Sequence, residues 1–164
     1  MEPNEALGKW CRDKMMDIKG ICIGVMDHLY GCREYILRDP QKGSDFSRHR
    51  VQENCLEILE EKTAGEVTVN SYYAPTLLGK EAIDKVTKRK GICVSRIFPF
   101  TSSPQYVLEN VPKDEEKEPA MYCVDEGRLT VVEDSPNAIK PEDVKGKHPG
   151  GFPLISTNTR FISL

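Results

Sequence analysis

The chain has 164 residues, of which 38% are hydrophobic and 30% charged, and carries a formal net charge of −3. That composition is globular rather than disordered, and the charge leaves no global field to draw the protein onto nucleic acid. No run nears the roughly 20 apolar residues of a membrane span. The start, MEPNEALGKW, lacks the basic and apolar regions of a signal peptide, so a soluble, cytoplasmic protein is expected.

Taken in chain order, the dominant feature is an internal repeat. Residues 7–37 align with 78–108 without a gap, and 11 of the 31 positions are identical: Leu7, Gly8, Lys9, Asp13, Lys14, Lys19, Gly20, Ile21, Cys22, Tyr35 and Leu37. Unrelated segments would share roughly two such positions. After an insertion of two residues the match resumes, with ENCLEILE from Glu53 set against EGRLTVVE from Glu126. Two copies are too few for a solenoid, which stacks three or more units.

The apolar runs within each copy have strand lengths. They are Ile21 to Val25, Tyr35 to Leu37 and Cys55 to Leu59 in the first copy, and Ile92 to Ile97, Tyr106 to Leu108 and Leu129 to Val132 in the second. Gly20 and Gly91 follow a polar turn and precede an apolar run, where a positive φ or a close backbone approach calls for glycine. Long loops are expected over 38–52 and 109–122. The predicted fold is mostly β: two tandem small SH3-like β-barrels of about five strands each, with a C-terminal extension. The boundaries are 1–61 for the first module, 62–77 for a linker, 78–134 for the second module and 135–164 for the extension. Within the extension, FPLISTNTRFISL alternates enough to form a final strand.

The segments LGKWCRDK, KGICIG, YGCREYIL and VDEGRLTVV resemble a loose group of small phage-encoded proteins of unassigned function. The chain also resembles the KOW type of SH3-like barrel, in which a glycine-centred loop meets RNA or a protein partner. The hairpin His28-Leu29-Tyr30-Gly31-Cys32 stands only in the first copy, and the close Asp125-Glu126-Gly127-Arg128-Leu129 only in the second. The resemblance implies a viral accessory protein acting in the host cytoplasm, in host takeover or counter-defence, by binding a host protein or a nucleotide-like ligand.

The residues argue for binding rather than catalysis. The histidines His28, His49 and His148 have no metalloprotease or triad-like spacing, and the chain holds no nucleophile elbow and no phosphate-binding loop. No catalytic residue, metal ligand or cofactor is assigned. The six cysteines contain no CxxC pair, so free thiols without zinc are expected in a reducing compartment. Asp13 and Asp84 read as turn-fixing side chains, Tyr35 and Tyr106 as core, and Cys22 and Cys93 as small buried hydrophobes.

Positions that differ between the copies carry the functional expectation, since a duplicated fold keeps its core while its sites diverge. Trp10 and Arg12 stand where the second copy has Glu81 and Ile83. An exposed Trp-x-Arg pair would stack on a base or anchor a partner, whereas a covered Trp would close a barrel end. His28, Tyr30 and Arg33 complete the candidate set on the first module. Lys88, Arg89 and Arg96 form the set on the second, where Lys85, Lys88, Arg89 and Lys90 crowd one turn. That turn supports the rival expectation of a KOW-like RNA or DNA binder gripping phosphate. Arg12 and Arg33 are read as exposed charges whose removal would leave stability nearly unchanged.

Overall fold

The computed structural model describes residues 1–40, 48–63, 72–110 and 120–144. The chain is mostly β. After a one-turn helix, α1 (Pro3–Ala6), come strands β1 (Lys9–Asp13), β2 (Lys19–His28), β3 (Glu34–Arg38), β4 (Arg48–Gln52) and β5 (Leu56–Thr63). There follow β6 (Glu81–Asp84), β7 (Lys90–Pro99), β8 (Gln105–Glu109), β9 (Met121–Asp125) and β10 (Leu129–Val131), with a last short helix α2 (Pro141–Val144). Among the described residues no helix is long and apolar enough to cross a membrane.

Two compact units are present, and they do not follow chain order strictly. Unit 1 comprises Met1–Asp27, Cys32–Ala74 and Ile97–Pro104, and unit 2 comprises His28–Gly31, Pro75–Arg96 and Gln105–Leu164. Each copy's central hairpin tip is therefore counted with the other copy's unit. His28 and Tyr30, placed on the first module by their position in the repeat, belong to unit 2.

Within unit 1 the ladders are antiparallel in the order β5, β1, β2, β3, β4, and a 3-10 turn at Glu53–Cys55 leads into β5. Within unit 2 the order is β10, β6, β7, β8, β9, with the corresponding 3-10 turn at Glu126–Arg128 before β10. The period of two sets the faces. On β1, Cys11 and Asp13 point inward while Trp10 and Arg12 point outward, and on β3 Tyr35 and Leu37 point inward while Ile36 and Arg38 point outward.

The cores correspond position by position. Cys11, Cys22, Tyr35, Leu37, Val51 and Leu56 fill unit 1, and Ala82, Cys93, Tyr106, Leu108, Val124 and Leu129 fill unit 2 at the matching places. Burial raises the Cys22 and Cys93 thiols to about 12. Phe98 and Phe100 complete the unit 1 core, and Tyr72 and Tyr73 meet the Phe98 ring edge-on at 5.4 and 5.5 Å.

Two expected loops are shorter than the sequence suggested. Residues 48–52, read as the end of the first loop, form β4, and residues 121–122, read as the end of the second, begin β9. RHRVQ contains a single aliphatic residue because β4 hides only its inward positions, His49 and Val51, and leaves Arg48, Arg50 and Gln52 outside. The remainder of those loops, most of the VTVNSYYAP segment and the terminal FPLISTNTRFISL lie outside the described residues. Residues 135–144 of the expected extension belong to unit 2, where Ile139 and Val144 pack on Leu29, Ile92 and Val94.

Candidate functional site

Each unit carries the same turn between its first two strands. In unit 1 the Asp13 carboxylate accepts the backbone N–H of Met15 at 2.8 Å, and in unit 2 Asp84 accepts that of Val86 at 3.0 Å. Both turns then pass through a left-handed residue, Asp17 at φ 55° and Lys88 at φ 61°. Both aspartates are buried, so each needs a partner. The partner differs. His49 Nε2 lies 2.7 Å from Asp13, whereas Asp84 receives Arg128 Nη2 at 2.6 Å and Nε at 3.1 Å. At the position of His49 unit 2 has Tyr122, with the Arg89 guanidinium 5.7 Å from its ring centre.

A second shared feature is a tyrosine and a glutamate at the inner strand ends. In unit 1 the Tyr35 hydroxyl donates to Glu53 at 3.4 Å, and Arg33 bonds Glu53 at 3.4 Å and Asp27 at 2.9 Å. The Tyr72 hydroxyl adds a 2.8 Å bond to Asp27. In unit 2 the cation comes from another strand. Arg96 is fully buried, 3.6 Å from Glu126 and 5.8 Å from the Tyr106 ring centre. Arg33 and Arg96 therefore serve the same Tyr–Glu corner from different sequence positions.

These contacts decide how the sequence-predicted residues stand. Arg96 is a core side chain with no face toward solvent, and its divergence from Val25 reflects packing. Arg33 is a buried-side pin rather than a free charge, which corrects the expectation for its removal. Arg33→Ala should destabilise the chain by about 1–3 kcal/mol in urea unfolding, because it strands the buried Asp27 carboxylate. Arg12, held by Asp17 at 2.7 Å and Glu57 at 3.7 Å on the surface, should lose only about 0.5 kcal/mol on replacement by alanine. Equal losses for the two variants would contradict this assignment.

Tyr30 is half-buried against the Leu29, Ile92 and Val94 cluster, and His28 Nδ1 lies 2.8 Å from Ser95 Oγ within unit 2. Lys88 and Arg89 are exposed on the β6–β7 turn, and their neighbour Lys90 is 3.2 Å from Glu81. Trp10 is half-buried on the outward face of β1, opposite Ile21. The candidate residues are divided between the units: Trp10, Arg12 and Arg33 belong to unit 1, and the remaining five to unit 2.

No protein-family model matches the chain, and no curated protein or solved structure matches it. The internal comparison of the two units is therefore the strongest guide. Among the described residues no three His, Cys, Asp or Glu side chains are placed to hold a metal ion.

That comparison exposes residues that sequence reasoning missed. Arg38, Arg48 and Arg50 are exposed on the outward face of β3 and β4, where unit 2 has Glu109, Met121 and Cys123. They escaped notice because 38–52 was taken as one loop, within which no face can be assigned. The repeat alignment, carried forward from Leu37 and Leu108 and back from Glu53 and Glu126, would have paired them with their uncharged or acidic counterparts.

Proposed function

We propose that the chain is a non-enzymatic binding protein that captures a host protein or a nucleotide-like ligand through one face of a duplicated scaffold. Its two units are taken as SH3-like barrels in tandem. The order β5, β1, β2, β3, β4 with a 3-10 turn before the last strand supports that description, as does the same order in unit 2. The motif resemblance supports a phage-encoded accessory protein working in the host cytoplasm.

One observation carries the binding assignment. Six core positions match between the two units, from Cys11 and Ala82 to Leu56 and Leu129, while exposed positions such as Arg38 and Glu109 change charge. Scaffold residues are held by packing. Surface residues that diverge in charge are free to acquire partners. The exposed Lys88 and Arg89 support a second assignment, a KOW-like nucleic-acid grip on the β6–β7 turn.

Affinity capture from host lysate by the immobilised chain tests both, with mass spectrometry of eluted proteins and small molecules. A protein or nucleotide retained in stoichiometric amount as salt is raised is the expected result. Retention of nucleic acid that falls steeply with salt, and is lost in Lys88→Glu/Arg89→Glu, would favour the second assignment. Retention of nothing would contradict both.

A further inference from the structure

The tips of the two central hairpins are apolar, although hairpin tips ordinarily lie at the surface and are polar. The tip of the first copy, His28–Gly31, holds Leu29 and Tyr30, and that of the second, Ile97–Pro104, holds Ile97, Phe98 and Phe100. Leu29, Phe98 and Phe100 are nevertheless buried, at 6%, 0% and 8% exposure. Their cover does not come from their own hairpins. The ladder of β2 with β3 ends at Met26 opposite Glu34, before the first tip begins.

Each tip is buried by residues of the other copy. Phe98 and Phe100 join Leu7, Cys11, Cys22 and Val25 in the core of unit 1, while Leu29 joins Ile92 and Val94 in unit 2. The backbone is bonded in the same reciprocal way. Phe100 N–H donates to the Ile23 carbonyl at 2.7 Å within unit 1, and Leu29 N–H donates to that of Val94 at 2.8 Å within unit 2. The offset of the repeat sets Leu29 against Phe100 and Ile23 against Val94, so the two bonds are equivalent.

The receiving positions are equivalent as well. A Cβ at Gly8 would lie 2.6 Å from the Phe100 ring, and one at the matching Gly79 would lie 3.4 Å from Leu29 Cδ1. Gly24 admits the Phe98 carbonyl 3.1 Å from its would-be Cβ, and the matching Ser95 has its Oγ 2.8 Å from His28 Nδ1. Contacts made twice by equivalent residues, in opposite directions, are the signature of a self-complementary association between two copies of one surface. Here the two copies are parts of one chain.

We infer that each unit carries a receiving site for the apolar hairpin tip of another copy of the repeat, and that this exchange of tips holds the two copies together without need of the chain connecting them. The site in unit 1 is built at Gly8, Ile23 and Gly24 and takes an aromatic tip. That in unit 2 is built at Gly79, Val94 and Ser95 and takes an aliphatic one, with Ile139 packed beside it. Burial of large apolar side chains on both sides supplies the association. The inference stands on packing and is independent of the binding assignment above.

The test cleaves the full chain after it has folded, at a protease recognition sequence inserted between the exposed Ala74 and Pro75, where the chain passes from unit 1 to unit 2. The two fragments should co-elute in size-exclusion chromatography at micromolar concentration, with the mass of the intact chain, and should part only in denaturant. Phe100→Ala and Leu29→Ala, one in each tip, should each raise the concentration at which the cleaved chain dissociates by at least about tenfold. Met16→Ala, an exposed change on the β1–β2 turn, should leave it unchanged. Circular dichroism of the uncleaved variants establishes that each is folded, and should Phe100→Ala fail to fold, Leu29→Ala decides. Fragments that part in buffer, or that stay together regardless of the tip substitutions, would overturn the inference.

Discussion

Replacing Gly20 or Gly91 by valine should destabilise the protein by about 2–4 kcal/mol each, among the largest losses available to a single substitution. A Cβ at Gly20 would lie 2.7 Å from the Arg38 carbonyl oxygen, and one at Gly91 would lie 2.6 Å from that of Glu109. Both obstacles are backbone in the adjacent strand, so neither can swing aside. The cause is close approach alone. Positive φ occurs instead at Gly8 and Gly79, at 77° and 81°, and at the turn residues Asp17 and Lys88. Gly127 has no atom within 4 Å of its would-be Cβ, so Gly127→Ala is the control and should cost nothing measurable. Urea unfolding of the three variants checks the contrast, and a Gly20→Val chain as stable as Gly127→Ala would refute it.

The second large effect is expected on acidification. Burial raises the Asp84 carboxyl, but hydrogen bonds from Thr87, Val86 and Arg128 together outweigh it and bring the group down from 3.8 to about 2. The folded state therefore binds this proton more weakly than the unfolded chain does. The resulting stability is fully present above about pH 4 and is lost as pH falls toward 2, to the extent of roughly 2 kcal/mol. Asp13 and Glu81 are also held low. For Asp13 burial is outweighed by His49 and the Met15 and Met16 N–H groups, and for Glu81 by Ser135, Lys90 and Asn137. Their loss falls in the same acid window and steepens it. Asp84→Asn should give a flatter stability profile between pH 4 and pH 2 than the unsubstituted chain, at a lower plateau near neutrality. An unchanged slope would show that Asp84 does not carry the acid sensitivity.

Much of the scaffold was legible because it repeats. The shared Tyr35 and Tyr106, Cys22 and Cys93, and Asp13 and Asp84 could be read as core and turn residues from identity alone, and the structure buries them accordingly. The glycine positions were legible too, although their physical cause was ambiguous between conformation and contact. Strands β1 and β4 were harder to see, because each is short and fully buries only inward positions, so no apolar run announces it. Arg33 and Arg96 misled for a different reason. Divergence between copies was taken to indicate a surface role, yet these two exchange places as partners of one Tyr–Glu corner, and only tertiary geometry reveals such compensation. His28 and Tyr30 show the same difficulty, since membership of a copy in sequence did not determine membership of a compact unit.

The outward arginines stand at the junction of these two lessons. They diverge from Glu109, Met121 and Cys123 at exposed positions, whereas the divergence of Arg96 is explained once its burial is known. The most direct test of this account is amide hydrogen exchange of the full chain with and without the protein or nucleotide that it captures from lysate. The account predicts slowed exchange on the strands of one unit, with the corresponding strands of the other unchanged. Unchanged exchange in both units at saturating ligand would contradict it.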